Sequence, residues 1–208
     1  MEPLSQMSLA DNVKLHYIRD TQEKRNLLET CFSEIKKTFI ETRRITYMAI
    51  GGGGEVNVEL LKMTYKNFYS VLDKIAIFLQ AYLNIPVKVH QVDFAKIWND
   101  KKNGIRPEFM AHPHNLSLLA LYNIKLDVYG SESFNYVIDE QTKDFQRIRN
   151  FIEHKVIVVR DGDMTYDDYQ LQISKDELTI NTVRLAQLVR CAIIYLCNFV
   201  MHAEYDKH

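Results

Sequence analysis

Arg149, Asn150 and His154 place a guanidinium, a carboxamide and an imidazole within six residues. A guanidinium presents a fork of donors that matches phosphate oxygens. An imidazole ordinarily changes charge near neutral pH. On a helix stepped at 100° per residue, Phe145, Ile148, Ile152 and Val156 fall in one narrow apolar arc. The opposite arc carries Lys143, Gln146, Arg147, Arg149, Asn150, Glu153 and His154. Arg147, Asn150 and His154 stack on one stripe, and Arg149 stands about 140° from His154, at the edge of the arc. A long arginine there reaches toward a phosphate held near His154, above all where a dimer interface brings two such helices together. Residues 141–160 hold five Lys or Arg against two Asp or Glu, a balance of +3, whereas the whole chain carries −1. A basic strip on a near-neutral protein suits a bound phosphate better than a general polyanion coat. Composition alone leaves the strip open to a plainer reading as a solvated helix face.

Other polar residues have two readings each. Asp73 lies beside the apolar stripe of a core helix, as a structural hydrogen-bond acceptor or as a support for Arg149 or His154. Glu153 is four residues from Arg149, the spacing of a helical ion pair. Arg147, Lys155 and Lys143 are candidate phosphate contacts or solvated charges. His112-Pro113-His114 has no third ligand nearby and reads as a loop rather than a metal site. Gly51 to Gly54 lacks the Lys-Ser or Lys-Thr that follows a phosphate-binding loop.

The elements that must position the strip are helical. Seven glycines, four of them consecutive, and four prolines in 208 residues leave few breakers. Residues 4–50 contain neither and predict one long helix or two in line. Gly51 to Gly54 reads as a flexible loop or as an artificial linker standing in for a longer one. Glu55 to Asn84 predicts the clearest helix, ended by Pro86. Asp93 is expected to cap a short helix to Asp100, and residues 101–113 to form a loop. Asn115 caps a helix to about Tyr129 with Leu118, Leu119, Tyr122 and Leu126 inward. Asp139 caps the strip's helix, which is expected to run to about Val156. Residues 156–160 and 166–173 are expected to form a small hairpin. Ser174 with Glu177 is a capping box opening a last helix to about Tyr205. The sum is an all-α bundle of about five to six helices with an irregular or hairpin insertion near residues 156–173. It reads as a single domain spanning 1–208, with its core at about 55–205.

A chain of this size buries a full core without disulfide or metal staples. Cys31, Cys191 and Cys197 are odd in number, lack zinc-type spacing and read as reduced thiols. No basic-then-apolar leader opens the chain, and no uninterrupted apolar run reaches spanning length. These features point to a cytoplasmic protein without membrane attachment.

The strip also resembles the signature of the HEPN superfamily (higher eukaryotes and prokaryotes nucleotide-binding domains): an Arg, often followed by Asn, with a His four to six residues further along a helix. Leu72-Asp73-Lys74-Ile75-Ala76, Asn115 to Tyr129, Arg149 to Lys155 and Ile194-Tyr195-Leu196 resemble, in order and spacing, a bacterial HEPN branch that sometimes follows tetratricopeptide repeats. The resemblance covers about Glu55 to Tyr205. It implies a dimer that joins two Arg–His motifs in one cleft and, in many members, metal-independent RNA cleavage in toxin–antitoxin or anti-phage systems. Other members only bind RNA or nucleotides. Carried onto this chain, the resemblance makes His154 the acid–base residue and Arg149 the group that offsets charge on the phosphorane. Asn150 becomes a phosphate donor or an orienter of the histidine. Arg147, Lys155 and Lys143 become RNA contacts, with Asp73 and Glu153 behind them. The expected partners are RNA, tRNA among the candidates, a second copy and an antitoxin or regulator, and no cofactor is required. Alternatives are a catalytically silent HEPN module and a helical dimerisation domain of a larger protein. HEPN toxins paired with nucleotidyltransferase antitoxins often carry a tyrosine two residues after the histidine; here that position is Val156.

Overall fold

Thr21 is where the chain changes from an extended segment into its first helix. Its hydroxyl accepts a hydrogen bond from the Lys24 N–H at 3.3 Å, an N-cap that opens α1, Gln22–Gly51. The computed structural model describes residues 13–52, 54–100, 104–130, 142 and 144–207. Residues 13–20 are not helical, which corrects the expectation of a helix from Leu4; residues 1–12 lie outside the described residues. Val13, Leu15 and Ile18 pack on the core from this extended segment. Their spacing fits an extended chain as readily as a helix. Lys36 Nζ donates to the Val13 carbonyl at 2.9 Å and Arg25 donates to the Asp20 carbonyl at 2.7 Å, which secures the segment along α1.

Gly54, at φ 90°, leads into α2, Glu55–Leu83, in a backbone region that favours glycine. The Gly52 carbonyl accepts from Lys175 Nζ at 2.7 Å, so the glycine turn is tied to the last helix. Asn84, left-handed at φ 54°, ends α2 two residues before Pro86. The chain then makes a 3-10 turn at Val89–Gln91 and hydrogen-bonded turns through Trp98. Asp93 does cap, accepting from the Lys96 N–H at 2.8 Å, but no α-helix follows. Instead β1 (Asn99–Asp100) pairs antiparallel with β2 (Gly104–Ile105), and a single helical turn, α3, covers Pro107–Met110.

Asn115 caps α4, Leu116–Tyr129, by accepting from the Leu118 N–H at 3.0 Å. Leu118, Leu121, Ile124 and Val128 are buried, while Leu119 is exposed, contrary to expectation. The helix is apolar nearly all round, so periodicity alone does not select its inner face. The expected Asp139 cap lies outside the described residues. The strip's helix, α5, covers Phe145–His154 and buries Phe145, Ile148 and Phe151. It ends at His154 rather than Val156, and Val156 is exposed at the head of a strand.

That strand, β3 (Val156–Val159), does not form the expected hairpin with the segment after it. It runs parallel to β5 (Gln170–Ile173), and β4 (Thr165–Tyr166) makes the antiparallel partner of β5 on its other edge. Ser174 accepts from the Glu177 N–H at 3.1 Å and opens α6, Lys175–Tyr205. By length and composition alone α6 could cross a membrane, which the reading of the sequence missed. Its Leu185, Val189, Ala192, Ile193, Leu196 and Phe199 are nonetheless buried, and it packs against α1, α2 and α4. The architecture is thus an all-α bundle, with the small sheet placed at the end of α5.

A file of aromatic rings crosses the core toward α5. Phe109 and Trp98 lie 4.6 Å apart, Trp98 and Phe94 5.6 Å, Phe94 and Tyr129 6.3 Å, and Tyr129 and Tyr69 5.5 Å, centroid to centroid. At the far end of α6, the buried Glu204 carboxylate accepts from the Arg19 N–H (2.8 Å), the Tyr82 hydroxyl (2.7 Å) and Lys207 Nζ (2.6 Å). Burial pushes its carboxyl up, but these three donors outweigh burial and hold it below the usual glutamate value. A depressed carboxyl stabilises the fold fully above the unfolded value, about 4.3, and loses that contribution as pH falls through the lowered one. Asp73 and Glu177, both raised chiefly by burial, act in the opposite sense as they protonate. Thermal melts from neutral pH down to acid should therefore show a component of acid destabilisation that Glu204→Gln removes. Equal acid sensitivity in the two proteins would rule this out.

Candidate functional site

Arg149 projects from the middle of α5 into the angle between α2 and α4, and only 23% of its side chain is exposed. Its guanidinium lies over the Tyr69 ring at 4.5 Å and beside the Tyr129 ring at 5.6 Å. Nε donates to Glu153 Oε2 at 3.2 Å and one terminal nitrogen donates to the Tyr129 hydroxyl at 3.3 Å. Burial draws the guanidinium's pKa down, but Tyr129, Glu153 and Asp73 raise it by more, so the cation is permanent. Burial holds both tyrosines well above the usual phenol range, so each meets the cation as a neutral ring. Among the described residues the Tyr69 hydroxyl is buried without a hydrogen-bond partner, which leaves its π face as its contribution here. Two of the arginine's five N–H groups are thus engaged by Glu153 and Tyr129, and the fork is held in one orientation.

Glu153 connects the two ends of the strip. The carboxylate oxygen that takes Arg149 Nε also lies 3.7 Å from His154 Nε2, an ion pair once the imidazole is protonated. The His154 side chain is 71% exposed at the last position of α5. Asn150 is exposed as well, one turn before it. Arg149 and His154 therefore meet through one acid, although the helical projection sets them far apart.

The remaining expected residues are distributed unevenly. Arg147 is engaged, paired with Asp144 and lying 4.2 Å over the Tyr166 ring. Lys155 is exposed, with its ammonium 4.8 Å from the Phe151 ring. Lys143 lies outside the described residues. Asp73 accepts from the Phe94 N–H at 2.9 Å and adds negative charge near Arg149. The hydrogen bond to Phe94 is the structural one that its position suggested. His112 packs edge-on against Phe199 at 5.4 Å. Among the described residues no group of three or more His, Cys, Asp or Glu is arranged to hold a metal ion.

Reading the sequence missed Tyr69 and Tyr129, the two rings that seat the arginine. A signal was present: Tyr69 and Asp73 are four residues apart, so a ring and an acid share one face of α2. Nothing in the spacing of Tyr129 ties it to Arg149.

A family profile described as LA2681-like HEPN matches residues 54–204. The chain belongs to the HEPN superfamily. The match runs from the start of α2 almost to the end of α6 and takes in the whole Arg149–His154 strip, whereas α1 lies before it. It agrees with the stretch over which the sequence itself resembles HEPN domains. No curated protein and no solved structure matches the chain. The HEPN assignment places the protein in a superfamily of nucleotide-binding and RNase-type domains.

Proposed function

We propose that this HEPN protein is a metal-independent endoribonuclease acting as a toxin or anti-phage effector. Arg149 would hold the scissile phosphate and His154 would move the protons. The observation that carries the reading is the single Glu153 carboxylate lying 3.2 Å from Arg149 Nε and 3.7 Å from His154 Nε2. It couples a fixed cation to a solvent-facing imidazole at one end of one helix. In the reaction the RNA's own 2′-oxygen bonds to phosphorus and the bond to the 5′-oxygen breaks. The 2′-hydroxyl proton leaves to a base, and the departing oxygen takes a proton. The products are a 2′,3′-cyclic phosphate and a 5′-hydroxyl. Arg149 offsets charge on the pentacoordinate phosphorus, and Asn150 is a further donor. Two copies of the strip facing each other would supply one imidazole for each proton transfer.

The test is cleavage of end-labelled RNAs, tRNA included, by the full chain in EDTA. Cyclic-phosphate ends are expected, and a 2′-O-methyl at the cut position should block the cut. His154→Ala should slow cleavage by about 10²–10⁴-fold. Intact RNA across the panel, with wild type and His154→Ala alike in cells, would rule the reading out. The strong exposure of His154 and Asn150 favours one rival, an RNA- or nucleotide-binding module without catalysis. Binding that survives His154→Ala, with the RNA left whole, would select it.

A further inference from the structure

Tyr169 is 81% exposed, the most exposed of the large apolar side chains among the described residues. It sits on a firmly built turn. Asp167 Oδ1 accepts from the Tyr169 N–H at 2.7 Å and the Gln170 N–H at 2.8 Å, and the Asp167 N–H donates to the Gln170 carbonyl at 3.0 Å. The parallel pairing of β3 with β5 carries this turn to the end of α5. The Tyr169 carbonyl accepts from the Val156 N–H at 3.1 Å, two residues after His154. On the same sheet, Tyr166 is 58% exposed and carries the Arg147 guanidinium over its ring.

We propose that Tyr169 is a stacking subsite for an unpaired nucleobase of single-stranded RNA, next to a phosphate bound at Arg149 and His154. The proposal rests on the reading of that strip as an RNA site. A protein partner would want a broad apolar patch. Around Tyr169 the exposed Val156 and Tyr166 of the same sheet are instead interspersed with Asp167, Asp168, Lys155 and Gln170. The two aspartates repel phosphate, whereas an uncharged base face stacks on a phenol ring without needing a cation. They turn the backbone of the strand toward Lys155 and His154 and its base toward the ring. Duplex RNA keeps its base faces covered, so the subsite selects loops and single strands.

The probe is a short 2′-O-methylated RNA, uncleavable by 2′-oxygen attack, with one 2-aminopurine placed next to the target phosphate. Wild type should quench the 2-aminopurine and bind the single strand in preference to the duplex. Tyr169→Ala should weaken single-strand binding on the order of ten-fold and lose the quench. Tyr169→Phe should keep both, because the ring face and not the hydroxyl makes the contact. Melting of both variants should match wild type. If Arg149→Ala loses binding while Tyr169→Ala keeps affinity and quench, the subsite is wrong and the strip stands. If wild type binds neither RNA, the reading of the strip fails and takes the subsite with it. If Tyr169→Ala changes only self-association or capture of a protein, the residue is a protein contact and the proposal is overturned.

Discussion

Arg149→Lys should cleave RNA roughly 10²-fold more slowly than the unaltered protein, although it keeps the positive charge. The reason is geometric. Tyr69 and Tyr129 grip a planar cation, and Glu153 and the Tyr129 hydroxyl fix its rotation. An ammonium on a flexible stem does not stack in that way and presents no fork to phosphate. Arg149→Ala should lose about as much activity or more. It also leaves Glu153 without its arginine and removes the donor to the half-buried Tyr129 hydroxyl, so a stability loss of about 1–2 kcal/mol should accompany it. Single-turnover cleavage, read beside a melt of each variant, separates the two effects. A folded Arg149→Ala protein that cleaves at the wild-type rate would remove this arginine from the chemistry.

Glu204→Ala should be the most destabilising single change outside the apolar core. The carboxylate is fully buried and receives three donors from three parts of the chain: Arg19 before α1, Tyr82 near the end of α2, and Lys207 after α6. Alanine takes the Glu204 acceptor away from the Tyr82 hydroxyl and the Arg19 N–H. Stripping one partner from a buried charged cluster costs about 3 kcal/mol. For a chain of this size that lowers the melting temperature by roughly 6–12 °C. Glu204→Gln keeps an oxygen for Tyr82 and should fall between the two. A Glu204→Ala protein that melts with wild type would show that the cluster contributes nothing net.

Much of this architecture was legible because it is local. The Asn115 and Ser174 caps, the extent of α2 and the burial of Phe145 and Ile148 follow from residues within a few positions of one another. What escaped is non-local. β3 pairs with β5 across an intervening strand, so no turn joins the pair and no short-range signal marks it as parallel. Thr21 caps the start of α1, and residues 13–20 are held along that helix by Lys36 and Arg25, side chains whose spacing promises nothing of the kind. The site divides in the same way. The Arg149–Glu153 pair is a four-residue regularity on α5. The tyrosine seat comes from α2 and α4 and becomes visible only when those helices pack.

The aromatic file has a practical corollary. Trp98 is the sole tryptophan, 1% exposed, and its indole N–H is bonded to the Phe94 carbonyl at 2.8 Å. Phe94 in turn touches Tyr129, one of the rings that seats Arg149. The protein therefore carries a single built-in fluorophore two ring contacts from its candidate site. Its emission reads one location without interference from any second indole, and an engineered label is unnecessary for following that layer as it loosens or re-packs.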